Sequence, residues 1–361
     1  MTRYDRYLAG RVTAALLRSI VALVLFFILF DLTTHRLGAI IRNQVPWPIV
    51  AEYYAVYIPT ILVEFQIAAL AVMVAGLLVL GAAAERREVT ALLAAGVSLR
   101  RLVRAPLLVA LAFVIALFAF GETIGTAAAE RAEEIEARYY GAGTFRRDPV
   151  SWANLPNGWQ VHVQKFNRLA MTGEDALLLL REPDRIEKIR VHRIYWSPEE
   201  HAWLMEDGLW SKFDPQANMA ATHRRITQTE APFNETPERL FAFTESEQTN
   251  TTRELAIILA QAREWGVPAR RLAVAYHNKF AKPFLAFVMM ALAIPFAMRL
   301  RRGGVGVGLG IGVAVGLAYL LVYALTQSLG AFGHIPPIAA AWSANLAFLL
   351  LAATLFARTP T

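Results

Sequence analysis

The sequence contains no cysteine. Disulfide bonds, thiolate metal ligands and thiol nucleophiles are therefore excluded, and cysteine usage says nothing about the redox compartment. Charged residues are also scarce: they make up 18% of the 361 residues, against about 25% in ordinary soluble domains. Hydrophobic residues make up 56% of the chain, which excludes an intrinsically disordered protein and indicates a protein with much of its surface in lipid.

Six apolar segments are each long enough to cross a bilayer as a helix, which takes about 20 residues. They lie at 14–32, 59–84, 105–129, 277–298, 305–329 and 336–356. The first follows a basic stretch, as a signal peptide does. Its apolar run is long and no A-x-A cleavage site follows, so we interpret it as a retained span. The sequence predicts three transmembrane helices in 1–129, a polar domain with a connecting helix in 130–276, and three more transmembrane helices in 277–361.

The basic residues near these spans are unevenly distributed. If the N-terminus is cytoplasmic, the cytoplasmic segments hold thirteen basic residues, and the short loops on the other side hold two, Arg36 and Arg42. The positive-inside rule then predicts cytoplasmic termini and a domain at 130–276 outside the cytoplasmic membrane. Residues 129–278 carry 19 basic and 22 acidic residues, a net charge of −3, so the chain's +7 comes from the membrane part. We attribute this excess to membrane topology and not to nucleic-acid binding.

The polar domain shows short alternating segments that are typical of strands. Residues 159–166 alternate strictly after Pro156-Asn157-Gly158, which is a hairpin signal. Further strand candidates lie at 176–180, 186–196, 202–213 and 223–229. No stretch between them is long enough for a crossover helix, so we expect an antiparallel sandwich or jelly roll. It would serve either as a structural cap or as a container for acyl chains. A helix is predicted from Thr252 to Trp265.

The chain carries no recognisable enzyme motif. The P-loop, H-E-x-x-H and G-x-S-x-G patterns are absent, and the seven histidines form no pair at metal-ligand spacing. We therefore predict no catalytic residue and no metal site. Three carboxylates, Asp31, Glu64 and Glu122, fall near the outer ends of spans. Snorkelling or local ion pairing is the expected role, because charges at the membrane interface cost far less than charges at its centre.

A glycine stripe marks the fifth span. Gly304, Gly308, Gly312 and Gly316 are spaced by four residues and share one helix face. Such a face lets another helix approach closely. Two interpretations stay open: constitutive packing within the subunit, or a sliding seam against a partner subunit.

The cytoplasmic segment between the second and third spans predicts a short amphipathic helix at about 85–97. Val89, Leu92 and Leu93 share one face with Glu88 at its edge. Gly96 is a natural helix stop, and Ser98 is a candidate cap for a second short helix that carries Arg100, Arg101 and Arg104. The first helix is either a simple junction between spans or a docking helix that fits a groove on a cytoplasmic partner.

This cytoplasmic segment, ERREVTALLAAGVSLRRL, resembles the coupling segment of the LptF/LptG (YjgP/YjgQ) permeases. That family forms the membrane part of the lipopolysaccharide-exporting ABC transporter. The resemblance extends to the N-terminus YDRYLAGRV, the fourth span YHNKFAKPFLAFVMMALAIPFA and the start of the sixth span, GHIPPIAAAW. Three-plus-three spans around an external β-domain match the family's jelly-roll architecture. The N-terminus is more similar to LptG than to LptF.

The resemblance implies a multi-pass permease of the bacterial inner membrane that takes lipopolysaccharide from the outer leaflet. The implied partners are a second LptF/LptG-type permease, an LptB-type ATPase dimer and a periplasmic bridge protein of the LptA/LptC type. ATP would be used by the ATPase, and this chain itself would bind no cofactor. A permease for another acylated lipid or lipoprotein, and a membrane assembly scaffold without transport activity, stay open as alternatives.

The resemblance also implies site residues. Glu88 falls at the carboxylate that the family places against the ATPase, with Val89, Leu92 and Leu93 beside it. The glycine face of the fifth span falls at the family's lateral gate. The nearest equivalents of the family's phosphate-binding residues are His35, Arg36 and Arg42, and Asp31 is a departure from the family pattern in that region.

Overall fold

The protein is built mainly from helices, with one β-sheet inserted between two helical groups. The structure, a computed structural model, describes residues 3–140, 150–152, 155, 157–167, 171–182, 185–213, 221–237, 249–264, 269–299 and 304–358. In the first group the helices are α1 (Arg3–Asp31), α2 (Leu37–Arg42), α3 (Trp47–Val63), α4 (Ile67–Glu85), α5 (Glu88–Ala94), α6 (Leu99–Leu102), α7 (Arg104–Phe120) and α8 (Thr126–Ile135). In the second group they are α9 (Thr252–Glu264), α10 (Arg270–Arg299), α11 (Gly304–Ala331) and α12 (Pro337–Ala357).

Six of the helical stretches are long and apolar enough to cross a membrane, which confirms the six predicted spans. Two of them are longer than a bilayer requires, because π-helical turns continue α1 and α7 beyond their apolar parts. These turns are Leu32–Arg36, Gly121–Gly125 and Glu136–Tyr140. The first and third helical stretches therefore reach 40 and 42 residues, well beyond the roughly 20 that cross a bilayer, and the additional turns lie at the end of the bundle that carries the β-sheet. The connecting helix α9 begins at Thr252, as predicted.

The predicted second span, 59–84, is divided in the structure. Helix α3 ends at Val63 and α4 begins at Ile67, with Gln66 between them in the left-handed conformation, at a φ of 58°. A residue in that conformation ends a helix because the next peptide unit leaves the helix axis. The sequence signal was present in the polar pair Glu64 and Gln66, which interrupts the apolar run.

Helices α4 and α10 form the centre of the bundle. Their small and apolar side chains are buried together with those of α1 and α7 in one core. The two helices approach closely at Gly76 of α4, where an added Cβ atom would lie 2.7 Å from Ala293 Cβ and 3.0 Å from Met290 Sδ. By contrast, α11 presents Leu317, Leu321 and Leu325 outward. Such outward leucines face lipid or another subunit.

The β-sheet contains six strands in the part of the chain that the structure describes. They are β1 (Val150–Trp152), β2 (Trp159–Asn167), β3 (Thr172–Glu182), β4 (Arg185–Ser197), β5 (Ala202–Phe213) and β6 (Ala221–Glu230). Each pairs antiparallel with the next, so the sheet order is sequential. The antiparallel prediction is confirmed. A jelly roll needs two sheets with non-sequential neighbours, and the described strands form a single meander.

One face of this sheet is apolar. Val163, Leu178, Ile189, Trp203 and Met205 are fully buried in one cluster. The turn before β2 uses Gly158 at a φ of 81°, a conformation that favours glycine, and it joins β1 to β2 as the Pro-Asn-Gly signal predicted. Alternate residues of the paired strands point to this apolar face. This alternation fixes the pairing register of the strands, because a shift by one residue would turn the apolar side chains to the other face.

Candidate functional site

Helix α5 lies within the segment predicted as a helix at about 85–97 but is shorter, because Glu85 belongs to α4 and Arg87 takes the left-handed conformation just before α5. It begins at Glu88 and ends at Ala94, and Gly96 follows at a φ of 81°. The Gly96 amide donates to the Leu93 carbonyl at 3.0 Å, and the Val97 amide donates to the Leu92 carbonyl at 3.0 Å, which closes the last turn. The next helix begins after Ser98, in the predicted position, but the Ser98 side chain makes no cap hydrogen bond. Arg104 belongs to α7 and not to the predicted short helix.

The apolar face of α5 lies against the protein's own bundle. Val89 is buried, and Leu92 and Leu93 are partly buried against the same core that contains α1 and α4. The outward face consists of small residues, since Thr90, Ala91, Ala94 and Ala95 are exposed. This packing is what a junction between two spans requires, and the docking role of the segment stays a prediction. A seven-residue helix can bury only one face, and the bundle's own core takes the apolar one.

Glu88 lies at the edge between these two faces. Its carboxylate is 28% exposed and lies 3.7 Å from the Arg11 guanidinium of α1. Arg11 also donates a hydrogen bond to the Tyr7 hydroxyl at 3.2 Å. A single contact of this length between half-exposed groups is weak. Glu88 is thus held near α1 while still accessible from the outward side of α5.

The opposite end of the bundle holds a buried arginine. Arg36 is 3% exposed and forms ion pairs with Asp31 at 3.1 Å and with Glu136 at 2.7 Å. Its guanidinium also donates to the Tyr53 hydroxyl and lies 4.2 Å from the centre of the Tyr53 ring. Of the three residues expected to contact lipid phosphates, Arg36 therefore points into the protein, whereas His35 and Arg42 are exposed.

Glu136 and Tyr53 were missed by the sequence analysis. Glu136 lies one hundred residues from Arg36 in the chain, and nothing in the local pattern links them. A usable signal was the density of tyrosines: Tyr53, Tyr54 and Tyr57 in α3, and Tyr139 and Tyr140 at the end of the third span. Tyrosine hydroxyls near a membrane surface commonly need a polar partner, and here the rings of Tyr53, Tyr57 and Tyr140 surround the arginine.

The other two outer carboxylates are also paired, as predicted. Glu64 accepts a hydrogen bond from the Lys282 ammonium of α10 at 2.5 Å. Glu122 lies 3.9 Å from Lys279, and its other oxygen accepts the Thr252 amide at 2.8 Å. Pairing offsets the cost of holding charge near lipid. Within the described residues, no group of three or more His, Asp or Glu side chains is placed to hold a metal ion.

Two of the four stripe glycines contact the bundle's centre. An added Cβ atom at Gly312 would lie 3.5 Å from Leu77, and one at Gly316 would lie 3.6 Å from Leu70. Both leucines belong to α4 of the same chain, which favours packing within the subunit for this part of the face. The surroundings of Gly304 and Gly308 lie outside what the structure describes.

Comparison with known families agrees with this architecture. The model described as lipopolysaccharide export system permease LptF/LptG matches residues 6–358. The match spans the six helices and the sheet, and it does not separate LptF from LptG. No curated protein sequence matches the chain.

Proposed function

Because the chain belongs to the LptF/LptG family of lipopolysaccharide export permeases, we propose that it takes lipopolysaccharide from the outer leaflet and passes it toward a periplasmic bridge. The family match over residues 6–358 is the observation that carries this proposal. Membership makes the chain a multi-pass inner-membrane component of the export system and a transporter subunit, not a catalyst.

We place the α5 end of the bundle in the cytoplasm. Arg86, Arg87, Arg100 and Arg101 are exposed there, and in the sequence thirteen basic residues fall in the segments that this orientation makes cytoplasmic. The positive-inside rule supports this orientation, with both termini cytoplasmic and the β-sheet in the periplasm.

We infer that α5 docks on a cytoplasmic ATPase of the LptB type, which uses the ATP. The small outward face allows close approach of a partner groove, and Glu88 at its edge supplies a charge for register. On the opposite face of α5, Val89, Leu92 and Leu93 pack against the core that contains α1 and α4. A displacement of α5 would therefore be transmitted directly to these spans. This division of roles follows the observed burial.

The remaining partners fit surfaces that the described structure leaves unburied. Helix α11 is the least buried span, and α1 also presents Leu25, Phe26 and Leu29 outward. A second permease of the same family would cover such faces and enclose a cavity between the subunits. The bridge protein, of the LptA or LptC type, would receive lipid from the β-domain. His35 and Arg42 are the exposed candidates for lipid phosphate.

Site-specific photo-crosslinking tests this proposal. A photoreactive residue at His35 and another at Val163, on the buried face of the sheet, should both crosslink to lipopolysaccharide in membranes supplied with ATP. Crosslinks to lipoprotein or to another glycolipid alone would show a different substrate. Purification in mild detergent should also bring down an ATPase, and its absence would favour an assembly scaffold.

A further inference from the structure

The two halves of helix α11 are attached to the bundle in different ways. The first half, from Gly304 to Ala318, contains only glycine, alanine, valine, leucine and isoleucine, so its side chains make no hydrogen bonds. The second half, from Tyr319 to Ala331, carries polar side chains. Hydrogen bonds between helices are one of the main attachments between membrane spans. The two halves should therefore differ in how firmly they are held.

Gln327 of the second half joins α11 to both neighbouring spans. Its amide nitrogen donates to Asn278 Oδ1 of α10 at 3.0 Å, and its amide oxygen accepts a hydrogen bond from Asn278 Nδ2 at 3.1 Å. The same nitrogen donates to the Ala340 carbonyl of α12 at 3.3 Å. Asn278 is 3% exposed, so little water competes for these bonds. Two facing amides that each donate and accept fix both the separation and the rotation of the helices that carry them.

A second set of hydrogen bonds ties the same three helices together at Tyr319. The Tyr319 hydroxyl donates to Asn345 Oδ1 of α12 at 3.0 Å, and Asn345 Nδ2 donates to the Ala281 carbonyl of α10 at 2.8 Å. Tyr319 and Asn345 are each 1% exposed. Tyr319 and Gln327 are about 12 Å apart along α11, at 1.5 Å per residue. We call Asn278, Tyr319, Gln327 and Asn345 the polar clamp.

Packing of the glycines differs between the two halves in the same direction. At Gly330, in the second half, an added Cβ atom would collide with Ala340 Cβ, so α11 and α12 are in close contact there. In the first half, added Cβ atoms at Gly312 and Gly316 would make ordinary contacts of 3.5 and 3.6 Å with leucine side chains of α4. An added Cβ atom at Gly310 would meet nothing within 4 Å. The first half therefore lies on a smooth surface without interlocking side chains.

We propose that the polar clamp is a pivot: the first half of α11 tilts across α4, while the second half stays fixed on α10 and α12. Gln327 and Asn278 are positioning residues that set where the moving part begins. In a tilt about a fixed end, displacement grows with distance from that end, and Gly310 lies about 13 Å from Tyr319 along the helix. The inference concerns motion within one chain and does not depend on the proposed function.

Distances between spin labels on the full chain in lipid nanodiscs test the pivot. The chain has no native cysteine, so pairs of labelling sites are introduced without removing any residue of that type. Ile115→Cys on α7, at a position that is 64% exposed, is the common reference. Its partner is Gly310→Cys in the first half of α11 or Leu325→Cys in the second, both at exposed positions. We expect a broad distance distribution to position 310 and a narrow one to position 325. Equal widths would overturn the proposal.

Three variants identify the polar clamp as the cause. Gln327→Leu removes the facing amide, so the distribution to position 325 should broaden until it matches that to position 310. Ser328→Ala is the matched control, because the Ser328 hydroxyl donates within its own helix, to the Ala324 carbonyl at 2.9 Å. Asn278→Gln with Gln327→Asn restores two facing amides of the same combined length and should keep the distribution narrow. A narrow distribution in Gln327→Leu, or a broad one in the exchanged pair, would show that the clamp does not set the pivot.

Discussion

The two ends of the helical bundle use charge in different ways. At the α5 end, arginines are exposed, and Glu88 meets Arg11 at 3.7 Å with both groups partly in solvent. At the end that carries the β-sheet, Arg36 and Lys282 are 3% and 6% exposed and form shorter contacts. Exposed charge costs little and is available to partners, whereas buried charge must be matched within the fold. Sign and number of charges alone therefore do not tell which of them bind a ligand.

Among the proposed substitutions, Arg36→Ala should cause the largest loss of folding stability. It leaves the Asp31 and Glu136 carboxylates without their shared cation, which costs about 3–5 kcal/mol when a buried pair loses one partner. Thermal unfolding of the purified protein in mild detergent measures the loss. Arg42→Ala is the matched control, because Arg42 is exposed at the end of α2. Equal melting temperatures for the two variants would refute the structural role of Arg36.

Lys282→Met should have the next largest effect. It removes the cation that contacts Glu64 at 2.5 Å, and loss of a charged hydrogen bond costs about 1.5–3 kcal/mol. The double variant Glu64→Gln with Lys282→Met should recover part of this loss, since the remaining amide carries no charge. A double-mutant cycle in urea unfolding measures the coupling. Additive effects of the two single changes would argue against a direct interaction.

Ala91→Arg should separate docking from stability at the α5 end. Ala91 is exposed on the small outward face, so the change should alter the unfolding free energy by less than about 0.5 kcal/mol. It should nevertheless abolish co-purification of the ATPase, because the longer side chain prevents close approach. Thr90→Ser keeps the face small and should retain the partner. If Ala91→Arg still binds the ATPase, this face of α5 is not the docking surface.

The smallest effect concerns the start of α9. The Glu254 carboxylate accepts the Thr251 amide at 2.7 Å, and this hydrogen bond lowers the pKa of Glu254 below its usual 4.5. A lowered folded pKa adds stability above pH 4.5 that is lost as the pH falls through the folded value. Glu254→Gln should remove that pH dependence and cost less than about 1 kcal/mol at pH 7, because the side chain is exposed. The unfolding free energy of the wild-type protein and of the variant is measured at pH 3.5 and at pH 7. An equal loss of stability in both proteins between pH 7 and pH 3.5 would contradict this role of Glu254.

The elements were predictable because their signals are local. Alternation over 159–166 marks β2, and long apolar runs mark the spans, so burial periodicity alone finds them. The turn at Gly158 and the stop at Gly96 follow from glycine's access to positive φ.

The candidate site was less predictable because it depends on contacts distant in the chain. Arg36 looked available by its place in a short outer loop, and its burial comes from Glu136, a hundred residues later. The sequence left open what the leucines of α5 contact, because amphipathicity shows which residues share a face and not what covers that face. The ion pair between Lys282 and Glu64 was unpredictable for the same reason, because the two residues are 218 positions apart in the chain.

The Glu122 carboxylate has a consequence for motion. One oxygen lies near Lys279 of α10 and the other accepts the first amide of α9, while its own backbone belongs to the third span. Three segments thus meet at one side chain, and α9 is the segment that follows the sheet in the chain. A tilt of α9 would pull on the third and fourth spans together, so mechanical strain arising at the β-sheet would be transmitted to the helical bundle.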